Sequence, residues 1–319
     1  MEVTAFGCDA DEAAVFRARA PYLGITPVIT AAPVAVDTVG LAAGSRCISV
    51  GHKFRIEGAQ LRALRDIGVR YISTRSVGLD HVDVDTAAEL GIRVENVLYS
   101  PDSVADHTLM LILVLLRQGR AALARIEAHD YRLGQARGRE LHDLTVGVVG
   151  TGRIGSAVID RLRGFGCRIV AHGRSGPARV ERVPLAELLR VSDIVTLHAP
   201  LDESTHHLID RDALAAMRPG ACLVNTARGG LVDTSALLDA LESGRLAGAA
   251  LDVLEREDGI FYTDRRANPV DDEELLRLHR HPGVVLTPHS AYFTERALTE
   301  AVVNSLINCL RFERGVQYD

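Results

Sequence analysis

No stretch of this chain stays apolar for long. The longest such run, Leu-Met-Leu-Ile-Leu-Val-Leu-Leu at 109–116, falls far short of the roughly 20 residues a helix needs to cross a bilayer. Residues 1–20 carry acidic side chains and no apolar core, so no secretory signal is expected there. Cysteine is scarce: five residues, at 8, 47, 167, 222 and 309, odd in number and never in a CxxC pair. That pattern argues against a disulfide framework and against a zinc site, and it favours the reducing cytoplasm with no metal. Lysine and arginine do not cluster with interleaved aromatics, which make up only 4% of the chain. With a net charge of −6 the sequence offers no footprint for nucleic acid or for an anionic membrane.

What is present describes a folded α/β protein. Hydrophobic residues are 47% and charged residues 24% of 319, which suits a globular chain long enough for two domains. Short runs rich in Val, Ile and Leu stand at 145–149, 168–171, 194–197, 222–225, 249–253 and 284–286. They do not alternate with polar residues, as expected of strands buried on both faces. Helical spacing separates several of them: Ile154, Val158 and Leu162 recur at i, i+4, i+8, and Asp233 is placed to cap a helix from Thr234. The pattern predicts a Rossmann-type, doubly wound parallel sheet of six strands. Weaker signals in the first hundred residues, with strands near 3–6, 47–50, 70–73 and 92–94 and helices near 9–19 and 58–67, predict a smaller flavodoxin-like α/β unit. Residues 101–117 are apolar almost all round a helix and require burial, 120–133 continue as a more polar helix, and 294–312 are amphipathic with Leu298, Val302, Leu306 and Leu310 on one stripe.

Gly150-Thr151-Gly152-Arg153-Ile154-Gly155 directly follows the first strand of the larger unit and opens a helix. In that context the three glycines serve in turn a tight bend, close approach of backbone to a pyrophosphate, and close packing of helix on strand. NAD enzymes place an acidic residue about 20 positions further on, where it bonds the ribose hydroxyls. Here Gly173 holds that position, followed by Arg174 and Ser175. Without a carboxylate, and with an arginine able to pair a 2′-phosphate, NADPH is expected to be preferred and NADH to remain possible.

Three further segments end predicted strands at the edge where ligands bind. They carry Thr226-Ala227-Arg228, then Asp252 with Glu255 and Glu257, then His289. A guanidinium can clamp a carboxylate, an imidazolium can protonate a carbonyl oxygen, and a carboxylate can hold that imidazolium in place.

At these residues the chain resembles the D-isomer-specific 2-hydroxyacid dehydrogenase family, through VGVVGTGRIG, LVNTARGGLVD, AALDVLERE and TPHSA in order and spacing. The resemblance implies a cofactor domain (100–291) inserted into a substrate domain (1–99 with 292–319), a site in the cleft, and a homodimer. It implies Arg228 as the substrate-carboxylate arginine, His289 as acid/base, Glu257 as its partner in preference to Glu255, and Asp252 as a contact on the nicotinamide side. The segments Asn96–Pro101, Arg75–Asp80 and Asp258–Tyr262 resemble the D-lactate dehydrogenase branch, with Val77 and Gly78 offering backbone N–H groups to a small 2-keto acid. SVGHK, YISTRS and YSPDSVAD narrow the resemblance to the enzymes of vancomycin-resistance clusters, which reduce pyruvate to D-lactate for a ligase making D-alanyl-D-lactate. Phe293 stands where lactate dehydrogenases commonly have a tyrosine; Tyr99 and Tyr292 keep their hydroxyls. A dehydrogenase for a bulkier 2-keto acid, glyoxylate or hydroxypyruvate stays open, with His52, Lys53 and Tyr99 as pocket candidates. So does a dinucleotide-sensing protein similar to transcriptional corepressors.

Overall fold

Val, Ile and Ala runs become strands wherever both of their faces can be covered, and the computed structural model, which describes residues 1–134, 137–173 and 180–315, holds two sets of them. The chain divides into two compact units, Met1–Ser100 with Phe293–Asp319, and Pro101–Tyr292. Among the described residues no helix is long and apolar enough to cross a membrane.

The first unit contains β1 (Glu2–Phe6), β2 (Thr26–Ile29), β3 (Cys47–Val50), β4 (Tyr71–Thr74) and β5 (Arg93–Glu95). They are parallel, in the order β2-β1-β3-β4-β5, which is the flavodoxin-like arrangement. The edge strand β2 was not anticipated; Pro27 and its half-exposed residues mask it, and proline is tolerated there because an edge needs no second ladder. The helix Glu295–Glu313 lays Val302, Leu306 and Cys309 against Val3, Phe16, Cys47 and Tyr71. Its Phe312 ring stacks on Tyr71 at 4.7 Å.

The second unit contains β6 (Thr145–Val149), β7 (Arg168–His172), β8 (Glu181–Arg182), β9 (Ile194–Leu197), β10 (Ala221–Asn225), β11 (Leu246–Leu251) and β12 (Val284–Leu286). All pairs are parallel, in the order β12-β11-β10-β9-β6-β7-β8. Strand order reverses between β6 and β9, the switch point at which open α/β sheets take ligands. The sheet thus has seven strands instead of the expected six; β8 is two exposed residues and gives no apolar signal. The helix Asp102–Leu116 buries Ala105, Leu111, Ile112 and Leu116 beside Val146, Val148 and Ile159, although Met110 is exposed. The helix expected over 120–133 is shorter, Gly119–Glu127. It stops where His129 adopts a left-handed φ of 57°, a conformation that cannot continue a right-handed helix. Asp233 caps Thr234–Glu242, accepting the Ala236 N–H at 3.0 Å.

Candidate active site

The turn after β6 has no room for side chains at two of its glycines. Gly150 has φ +89°, and a Cβ there would lie 2.5 Å from the His198 carbonyl carbon; a Cβ on Gly155 would lie 1.9 Å from the Gly150 oxygen. These contacts draw the helix Arg153–Arg163 onto the end of β6 beside β9. Gly152 differs: nothing stands within 4 Å of its Cβ position, and it caps the helix without a side-chain bond. Open space and uncapped first-turn N–H groups, with Arg153 and Ile154 in that turn, suit a pyrophosphate. The residues present therefore fit a dinucleotide. At the end of β7, a Cβ on Gly173 would fall 2.2 Å from Thr151 Oγ1, so the glycine lets the turn close over the strand end. Arg174 and Ser175 lie outside the described residues.

After β10, Asn225 shapes the next turn: its Nδ2 donates to the Arg228 carbonyl at 2.8 Å and its Oδ1 accepts the Ala227 N–H at 3.0 Å. The Arg228 guanidinium donates to the Ala227 carbonyl at 2.7 Å. Thr226 is buried, with its hydroxyl 2.9 Å from that of Thr108. Gly229 lets this turn touch the one after β11, since a Cβ there would sit 2.0 Å from the Leu254 carbonyl carbon. The loops bearing Arg228 and Glu257 are thereby packed backbone to backbone.

Glu257 and His289 meet. His289 Nδ1 donates to Glu257 Oε1 at 2.5 Å, and Glu257 Oε2 accepts the Leu254 N–H at 2.7 Å. Both side chains are mostly buried, where a charge-assisted bond is stronger than in water. Glu255 turns away, pairing His207 at 2.8 Å and accepting from Thr234.

Asp252 does something that the sequence did not disclose. Its side chain is 0% exposed. It accepts from Thr287 Oγ1 at 2.6 Å and from the Ser290 and Ala291 N–H groups at 2.9 Å each, while His107 Nε2 lies 3.4 Å away. Burial alone would raise its carboxyl, but the bonds from His107, Thr287, Ala291 and Ser290 outweigh it and hold the group below the usual carboxylate range. The ionised carboxylate thus ties down the loop on both sides of His289. His289 itself has φ +50°, costly for a residue with a side chain. Its N–H is bound to the Asp252 carbonyl at 2.7 Å, and its carbonyl accepts the Tyr262 hydroxyl at 2.9 Å. Desolvation, then the neighbouring Tyr292, Glu257 and Asp252, push the Tyr262 phenol above its ordinary range, so it stays a donor. Tyr292 presents its ring edge-on to the imidazole. His107 belongs to none of the motifs above and stands 180 residues from Thr287, which the sequence shows within TPHSA but without a role of its own.

In the first unit, His52 follows β3 and Val77 and Gly78 follow β4, all partly exposed, as is Tyr99. Ser76 Oγ donates to the Gly78 carbonyl at 2.8 Å and Asn96 Nδ2 to the Val77 carbonyl at 2.6 Å. Phe293 is exposed.

Comparison with known proteins gives consistent results. Residues 109–291 match the family profile described as D-isomer specific 2-hydroxyacid dehydrogenase, NAD binding domain. A D-specific alpha-keto acid dehydrogenase of Enterococcus faecium is 50% identical over 317 residues, covering 99% of this chain and 98% of that protein. A D-lactate dehydrogenase of Lactiplantibacillus plantarum is 37% identical over 272 residues, 83% of this chain and 82% of that one. Among solved structures, D-2-hydroxyisocaproate dehydrogenase superposes with a TM-score of 0.88 at 32% identity, covering 100% of this chain and 98% of that chain.

Proposed function

Because the chain belongs to the D-isomer-specific 2-hydroxyacid dehydrogenase family, we propose that it reduces a small 2-keto acid, pyruvate foremost, to the D-2-hydroxy acid. The observation that carries this reading is the His289–Glu257 pair at 2.5 Å, held beside the Arg228 turn by the close approach at Gly229. When bound, the nicotinamide dinucleotide supplies the hydride that ends on C2 of the keto acid. His289 supplies the proton for the carbonyl oxygen. Its Nδ1–H is committed to Glu257, so proton exchange falls to Nε2. Glu257 stabilises the imidazolium and fixes its plane. Arg228 clamps the substrate carboxylate through its donor fork, the N–H groups of Val77 and Gly78 add two donors, and His52 and Tyr99 shape the side-chain pocket. Gly150, Gly152, Arg153, Ile154, Gly155, Thr226 and Ala227 receive the dinucleotide, with Asp252 on its nicotinamide side.

A preference for NADPH is supported by the absence of a carboxylate at Gly173 and, in sequence, by Arg174 and Ser175. The resemblance of SVGHK, YISTRS and YSPDSVAD to the enzymes of vancomycin-resistance clusters supports a cytoplasmic enzyme whose D-lactate feeds synthesis of D-alanyl-D-lactate in vancomycin resistance. The likeness to D-2-hydroxyisocaproate dehydrogenase favours a second reading, a branched and bulkier 2-keto acid.

The deciding assay follows NADPH and NADH oxidation in parallel with pyruvate and with 2-ketoisocaproate, resolving product stereochemistry. D-lactate formed with a lower KM for NADPH is the expected result. Activity with NADH alone removes the cofactor preference, and no turnover with any 2-keto acid removes the enzyme reading. His289→Gln should lower turnover by about two to four orders of magnitude, the span of a general acid; near-normal turnover takes His289 out of that role.

A further inference from the structure

One stripe of the helix Glu295–Glu313 holds the segment that leaves β5. Glu300, Asn304 and Asn308 are spaced four apart and so stand one above another. Glu300 Oε2 accepts the Ser100 N–H at 2.6 Å, Asn304 Nδ2 donates to the Leu98 carbonyl at 2.7 Å, and Asn308 Nδ2 donates to the Asn96 carbonyl at 3.0 Å. The match is geometric. Four helical residues rise about 6 Å, and two extended residues span about 6.6 Å, so each rung meets every second residue of the extended run.

The last rung continues into the loop after β4. Asn96, gripped through its backbone by Asn308, donates from Nδ2 to the Val77 carbonyl at 2.6 Å. The neighbouring carbonyls are also turned inward. That of Ser76 accepts from Val97 N–H at 3.1 Å and Thr74 Oγ1 at 3.2 Å, and that of Gly78 accepts from Ser76 Oγ at 2.8 Å. A trans peptide is planar, with its C=O and N–H pointing in opposite directions. Fixing the Ser76 carbonyl therefore aims the Val77 N–H outward, and fixing the Val77 carbonyl aims the Gly78 N–H outward. Neither N–H has an acceptor among the described residues.

We propose that Asn96 and Asn308 are positioning residues for the substrate carboxylate: Asn96 orients the 77–78 peptide so that the Gly78 N–H meets the anion, and Asn308 sets the register of Asn96. The inference rests on the reading that Val77 and Gly78 receive a 2-keto acid. It adds a cause for their orientation and carries it back to the C-terminal helix.

Asn96→Asp keeps the shape, removes the donor and sets an acceptor against the Val77 oxygen. It should raise the KM for pyruvate about ten- to hundredfold, the effect of losing one bond to a charged group, with a smaller change in kcat. The KM for the nicotinamide cofactor and the Tm should stay near wild type, which a general loss of structure would not allow. An unchanged pyruvate KM overturns the positioning role while wild-type turnover keeps the parent reading intact. Absence of wild-type turnover with every 2-keto acid overturns both. Should Asn96→Asp fail to fold, Asn308→Ala leaves the Asn96 side chain in place and carries the same test. A several-fold rise in pyruvate KM at constant cofactor KM supports the relay, and no rise overturns it.

Discussion

His198 follows β9 at the point where strand order reverses, and its backbone is what Gly150 must be small enough to meet. Its Nε2 lies 3.0 Å from Thr196 Oγ1, and its Nδ1 has no partner among the described residues. Burial pushes the imidazole down to about 3, so the ring is neutral in the folded protein wherever the enzyme operates. The ordinary value is about 6.5. Between the two, the unfolded chain binds a proton that the folded chain refuses, so the contribution of His198 is fully present above about pH 6.5 and is lost as pH falls toward 3. The slope it adds is up to about 1.4 kcal/mol per pH unit. Urea unfolding at about pH 5 and about pH 7 should show His198→Gln losing less stability across that interval than wild type. Equal losses would mean that the folded ring takes up the proton. The carboxylates near His289 give a different lesson at the same scale. Glu255 and Glu257 are two residues apart, yet one pairs His207 and the other His289, a division that spacing alone suggested only by resemblance.

Elements differed in how much of themselves they declared. Strands buried on both faces, such as β6 and β9, were legible because most of their residues are apolar without alternation. β2 and β8 were not, since an edge or a two-residue strand needs no such run. The helix Gly119–Glu127 was overrun because nothing in composition marks where His129 turns left-handed. In the site, the strand-end turns were legible through their chemistry, while the supports of the His289 loop were not. His107 comes from the helix Asp102–Leu116 and meets Asp252 and Thr287 only through the sheet's winding. Gly229 belongs to the same hidden class. Its neighbour is backbone, which cannot swing aside, so Gly229→Ala must part the two turns. It should cost more than about 2 kcal/mol, within the range for overpacking a tight contact. It should also lower kcat/KM by separating Arg228 from Glu257. Differential scanning calorimetry with steady-state assays checks both, and a variant matching wild type in each would show that the turns separate freely.

At the scale of the whole molecule, the second unit leaves large apolar side chains in water. Leu123, Ile126, Tyr131 and Leu133 are all more than half exposed, Leu133 at 98%, and they lie within a dozen residues of one another in sequence. Large apolar side chains exposed this close together in the chain suit an interface, and we expect a second copy of this chain to cover them. Light scattering should give the mass of two chains, and Ile126→Glu with Leu133→Glu should reduce it to one; a wild-type mass of a single chain would dismiss the homodimer. The other unit imposes an order on synthesis. Its sheet begins at Glu2, but Val302, Leu306 and Cys309 complete the core around Val3, Phe16 and Cys47. The strands around Val3 and Cys47 therefore have no finished core until the helix Glu295–Glu313 has been made. Through the roughly 200 residues of synthesis that separate them, those strands wait with one apolar face uncovered, while the unit encoded between them has every piece it needs to fold as soon as it is made.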